Sequence, residues 1–143
     1  MDQLKRKLAE QIDWERRYAL MRLHFAAEIV LELAYQNLAS ITKIGAHIAR
    51  DKARIDFEWG ENIAKWFPLI TERAQAIIAA DQPIISAFSD EANERRCWEV
   101  AGFSRVACGG THLRKTGEVG AIALKRTNIG KGKERIEITL KGP

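Results

Sequence analysis

The feature that most constrains this chain is a run from Leu23 to Leu38 that is apolar on nearly every helical face. A helix apolar all round is a buried one. Helix formers continue back to Asp13, a candidate N-cap, so the pattern predicts a long helix over Asp13–Ser40. Its polar interruptions are therefore informative. His24 and Glu28 are four apart and share a face. Burying two such groups costs several kcal/mol, on the order of 2–7 each, unless they are paired.

The rest of the chain alternates in the manner of strands. In Ala53–Trp59, Ile55, Phe57 and Trp59 face one way and Arg54, Asp56 and Glu58 the other. Ile44–Arg50 is a weaker partner for it. Pro68 opens a second helix that runs to about Ala80, with Ile70, Ala74, Ile77 and Ile78 at helical spacing. Ile84–Phe88 and Trp98–Phe103 read as short strands, and Val119–Arg126 and Arg135–Leu140 as a final pair turning through Asn128–Lys133. The class expected is α+β, an antiparallel-rich sheet packed with two long helices. At 143 residues, a single domain over 1–143 is expected. The N-terminus is charged and lacks an apolar signal core, and no apolar run spans a bilayer, which points to the cytoplasm.

Charge is unevenly spread. From Arg105 onward nine Lys or Arg stand against three acids, +6 within a chain of net +4. That suits an anionic partner such as a nucleic-acid backbone, although a solvated lysine-rich surface gives the same count. Two cysteines, Cys97 and Cys108, are too few for a disulfide scaffold. Cys97 reads as a packing residue.

Cys108-Gly109-Gly110-Thr111-His112 places a thiol and an imidazole across a pair of glycines. Both can turn toward one metal. Zinc takes thiolate, imidazole and carboxylate ligands, and a catalytic zinc keeps one position for water. His24, Glu28, Cys108 and His112 form a candidate cluster. From spacing alone a core hydrogen bond between His24 and Glu28 is the commoner explanation of the helix pair, and the glycine-rich loop is what favours a metal. The third histidine, His47, has no partner at metal spacing and reads as a surface or strand residue. Trp14, Trp59, Trp66 and Trp98 read as core residues rather than a base-stacking platform.

Residues 97–124, CWEVAGFSRVACGGTHLRKTGEVGAIAL, resemble the second half of the editing module of alanyl- and threonyl-tRNA synthetases. They look most like the alanyl-tRNA editing proteins. CGGTH followed by TGE-V-G is the most specific part. IDWERRYALMRLHFAAE at 12–28 resembles that family's first metal-ligand helix, and ARIDF at 53–57 and KGKERI at 131–136 also match. The likeness covers about residues 11–141.

The resemblance implies hydrolysis of a mischarged tRNA(Ala) bearing serine or glycine, at a zinc site. It implies His24, Cys108 and His112 as ligands, with Glu28 standing where the family has a second histidine. That departure leaves open a metal-free site or a catalytically altered relative that binds tRNA or a protein partner. A Ser-tRNA(Thr) substrate is a lower-ranked alternative. Gly109 and Gly110 are candidate oxyanion donors, and Thr111 a candidate for the amino-acid pocket. Arg114, Lys115, Lys131, Lys133 and Arg135 are candidate phosphate contacts for the tRNA acceptor end. Longer relatives carry a small barrel before the first helix. Its contacts here fall to a homodimer or a partner protein, if they are made.

Overall fold

The computed structural model describes residues 2–90, 92, 95–107 and 113–141. Helix α1 spans Asp2–Asn37 and is followed by strands β1 (Thr42–Ile48) and β2 (Ala53–Glu58). A 3₁₀ turn at Ile63–Trp66 leads into helix α2 (Phe67–Ala79). Then come β3 (Ile85–Asp90), β4 (Arg95–Val100), β5 (Ser104–Ala107), a second 3₁₀ turn at Thr116–Val119, β6 (Ile122–Gly130) and β7 (Lys133–Leu140). The architecture is α+β, as the patterning predicts. All pairing is antiparallel, but it forms two sheets, ordered β1-β2-β7-β6 and β3-β4-β5. No helix among the described residues is long and apolar enough to cross a membrane.

Helix α1 begins eleven residues before the expected start. Asp13 is therefore no cap; it lies mid-helix and pairs with Arg17 at 2.8 Å. Charged residues with good helix propensity continue the helix back to Asp2 without any apolar face being covered. Every residue from Asp2 to Arg17 is exposed, including Leu4, Leu8 and Ile12. Burial starts near Leu23 and includes Phe25, Ala26, Ile29, Val30 and Leu33. This half lies against both sheets. Phe25 meets Trp98 of β4 edge-on with ring centroids 5.0 Å apart, and α1 also packs on α2 and on β2 and β7.

Trp98 is fully buried, and Trp59 and Trp66 pack against the core in part. Trp14 is the exception to the core expectation. It is exposed and stacks on Tyr18, because the helix leaves the body before reaching it. In β2, Ala53, Ile55 and Phe57 are buried and Trp59 falls just beyond the strand. The pattern over Trp98–Phe103, with Gly102 allowing a bulge or bend, does not predict β5: Gly102 at φ 76° turns the chain fully back, so β4 ends at Val100 and β5 pairs with it. The β6–β7 turn is also tighter than expected, with only Lys131 and Gly132 outside the strands and Gly132 at φ 69°.

Glu134 is the one buried charged side chain among the described residues, 1% exposed. Its carboxylate accepts from Nε and Nη2 of Arg126 at 2.8 and 2.9 Å, from Asn128 Nδ2 at 2.8 Å and from the Ile63 amide at 2.9 Å. Burial pushes the carboxyl up. The donors together outweigh it and hold it below the usual carboxylate range. Its stabilising contribution is therefore complete above the ordinary carboxylate pKa and is lost as pH falls through the lowered folded value. Glu134→Gln is expected to cost about 2–4 kcal/mol in urea unfolding at neutral pH. The gap from the unaltered protein should narrow at acid pH; an equal gap at pH 7 and in acid would contradict the assignment.

Candidate functional site

Three acid–base side chains recur on one face of α1 at four-residue intervals: His24, Glu28 and Glu32. They line a cavity of about 370 Å³, faced across the opening by Lys43 and His47 of β1 and by Val106 of β5. The cavity is open to solvent on the β1 side, where Lys43 and His47 are both exposed.

Each helix residue is tied in place. His24 Nε2 stands 3.0 Å from Glu28 Oε1. The other oxygen of Glu28 accepts the indole N–H of Trp98. Glu32 Oε2 accepts from the Ser104 hydroxyl at 3.0 Å. Helix α1 is thus bonded to β4 and β5 through its two carboxylates. The hydrogen bond to Glu28 raises the His24 pKa; partial burial opposes the shift, and the nearby carboxylate charge adds to it.

A second set of bonds fastens the chain that follows residue 112. Glu118 accepts from the backbone amides of Arg114 and Lys115 at 2.8 and 3.0 Å and from the Tyr18 hydroxyl at 3.0 Å. Burial raises the Glu118 carboxyl, but these donors bring it below its usual range. Arg22 donates to the carbonyls of Glu118 and Val119 at 2.9 and 2.8 Å. Gly117 leaves no room for a side chain, since a Cβ there would sit 2.3 Å from Asp81 Oδ1. The TGE-V-G motif is therefore a clasp on α1 at Tyr18 and Arg22, within two turns before His24. Sequence patterning gave Glu118, Tyr18 and Arg22 no role. Their long-range pairing leaves no periodic signal.

His24 and Glu28 thus meet as the spacing predicts. Among the described residues no group of three or more His, Cys, Asp or Glu could hold a metal ion. Cys108, Gly109, Gly110, Thr111 and His112 lie outside the described residues. Cys97 is buried, as expected, with Arg105 Nε 3.2 Å from its sulfur. His47 is an exposed strand residue, as read, but it lines the cavity.

The five candidate phosphate contacts do not form one patch. Lys131 and Lys133 flank an open concavity with Trp59 and Gly132 at the β6–β7 turn. Arg114 and Lys115 precede the start of β6. Nine residues of β6 separate these groups, about 26 Å of extended chain. Arg135 is committed to Asp56 through two contacts of 2.7 and 3.2 Å.

Comparison with known proteins shows what this chain is similar to. Residues 96–137 match the family described as threonyl and alanyl tRNA synthetase second additional domain. The chain is 31% identical to the alanyl-tRNA editing protein AlaX-M of Methanosarcina acetivorans, over 90% of this chain and 61% of that protein. It is 34% identical to AlaX-M of Saccharolobus solfataricus, over 94% and 64%. It is also 34% identical to the alanine–tRNA ligase of Methanopyrus kandleri, over 88% of this chain and 16% of that enzyme. The chain therefore spans about three-fifths of the length of the editing proteins it matches.

Trp98→Phe keeps the ring and removes the donor to Glu28. Loss of the Trp98–Glu28 bond, at a fully buried indole, is expected to cost about 1–3 kcal/mol, read as a lower midpoint in thermal or urea unfolding. A midpoint equal to that of the unaltered protein would show that this bond does not hold the site.

Proposed function

We propose, from the match of residues 96–137 to the second additional domain of threonyl and alanyl tRNA synthetases and from 31–34% identity to alanyl-tRNA editing proteins, that this chain is an aminoacyl-tRNA deacylase. The substrate is a tRNA(Ala) mischarged with serine or glycine. The observation that carries the reading is the His24–Glu28 pair, 3.0 Å apart, in the wall of an open cavity. Val106 lines the same cavity two residues before Cys108 in the chain.

The reaction is ester hydrolysis. A water oxygen bonds to the carbonyl carbon, the bond from that carbon to the ribose oxygen breaks, and the ribose oxygen takes a proton. In a metal-free site His24, which lines the cavity, would accept and return that proton, with Glu28 holding the imidazole's orientation. Backbone N–H groups of Gly109 and Gly110 are the proposed oxyanion donors, and Thr111 the proposed side-chain contact. A site that hydrogen-bonds the serine hydroxyl rejects alanine strongly, because its own polar groups are left unpaired.

His24, Glu28, Cys108 and His112 are the proposed zinc ligands. The described half of the set fits. An imidazole nitrogen and a carboxylate oxygen, His24 Nε2 and Glu28 Oε1, stand 3.0 Å apart, and both are donor types that zinc takes. When bound, zinc would polarise water or the ester carbonyl. Lys131, Lys133, Arg114 and Lys115 are proposed to meet tRNA phosphates at two separate places, with Arg135 contributing charge while held by Asp56.

A second, metal-free reading is favoured by one observation. Both Glu28 oxygens are already engaged, by His24 and Trp98, which is how a carboxylate orients a general-base histidine. The two readings separate in one experiment. Seryl-tRNA(Ala) is mixed with the purified protein, with and without a chelator, beside Cys108→Ala and Glu28→His. With zinc, chelation and Cys108→Ala should each lower the rate at least 100-fold, and Glu28→His should retain activity. Undiminished activity under chelation would exclude the zinc reading. No deacylation on any tRNA tested would end the hydrolase reading.

A further inference from the structure

The cavity has walls of opposite charge, and this sets which way a substrate lies in it. Glu28 and Glu32 stand on the α1 wall, and Lys43 with His47 on the β1 wall. Of the two carboxylates, Glu28 is bonded through both oxygens. Glu32 is half-buried and accepts only from the Ser104 hydroxyl, through Oε2. That bond aims the carboxylate without neutralising it. Its Oε1 accepts no hydrogen bond among the described residues, and the residue lines the cavity. A cation is the ligand such a group takes, because a charge-assisted bond is roughly twice as strong as a neutral one.

An aminoacyl ester supplies one cation, its α-ammonium. Resting on the deacylase reading above, we propose that Glu32 binds that ammonium, and that the site thereby requires a free α-amino group. The spacing agrees. Glu32 lies one turn beyond Glu28, about 6 Å along the axis. In an amino acid the nitrogen is about 2.5 Å from the carbonyl carbon, and a charge-assisted N–H···O bond adds about 2.8 Å. A carbonyl held beside His24 and Glu28 thus presents its ammonium to Glu32. Lys43 on the far wall repels the ammonium and favours the phosphate end of the same substrate. Glu32 is then a specificity-determining residue, separate from the proposed ligands and proton carrier.

The test compares seryl-tRNA(Ala) with the same tRNA after nitrous acid converts the α-amine to a hydroxyl. This keeps the size and removes the charge. The unaltered protein should prefer the amine by roughly 10- to 100-fold in kcat/KM, the range for one charge-assisted bond. In Glu32→Gln that preference should fall toward one, and Glu32→Asp should keep part of it, with folding of both checked by circular dichroism. Equal rates of the unaltered protein on both substrates would overturn the ammonium site and leave the deacylase reading standing. A preference undiminished in Glu32→Gln would likewise overturn it. Hydrolysis of neither substrate would instead reject the deacylase reading, and this inference with it.

Discussion

A carboxylate under a mostly buried helix must be satisfied or it destabilises the fold. Glu28 is satisfied from two directions, by an imidazole on its own helix and by an indole from the small sheet. The arrangement of the molecule follows from that bond. It fixes α1 against β4, keeps the His24 ring facing the cavity, and leaves the next carboxylate along the helix for Ser104 of β5. Packing alone would not do this, since Phe25 on Trp98 is compatible with some rotation of the helix. The polar bonds choose one rotation.

The glycine-rich signature divides into two parts with separate physical jobs. CGGTH carries the donor atoms of the proposed site. TGE-V-G carries none of them, yet its Glu118 gathers two amides and a tyrosine hydroxyl, and its carbonyls take the Arg22 guanidinium. The chain leaving residue 112 is thereby held to the helix that presents His24. Donor atoms are useful only at a defined distance from their partners, and this clasp fixes the chain that follows them to that helix.

Much of the fold was legible because its hydrophobic periods are long and clean. The all-round apolar stretch of α1, the alternation in β2 and β7, and Pro68 at the start of α2 each placed an element correctly. The misses have specific causes. Helix α1 starts early because propensity sustains charged turns that no core pattern marks. Strand β5 is four residues long and lies behind a glycine turn, too short to establish a period. The His24–Glu28 pair was legible from spacing, and Glu32 was equally available, one more turn along. Lys43 and His47 were not, because only sheet pairing brings β1 opposite that face. The basic C-terminal third was visible as a count, while its internal use by Asp56 and Glu134 was not.

Leu4, Leu8 and Ile12 extend, toward the N-terminus, the row that becomes Ile29 and Leu33 in the core, but nothing in the body covers them. An isolated helix of about sixteen residues is marginal in water, and one exposed i, i+4 ion pair such as Asp13–Arg17 adds only tenths of a kcal/mol. The rod is thus two cooperative units joined end to end. Its outer amides exchange with solvent through local unfolding, and its inner amides only when the core itself opens. The half bearing His24 belongs to the slow unit, so fraying of the outer turns stops short of the chemistry.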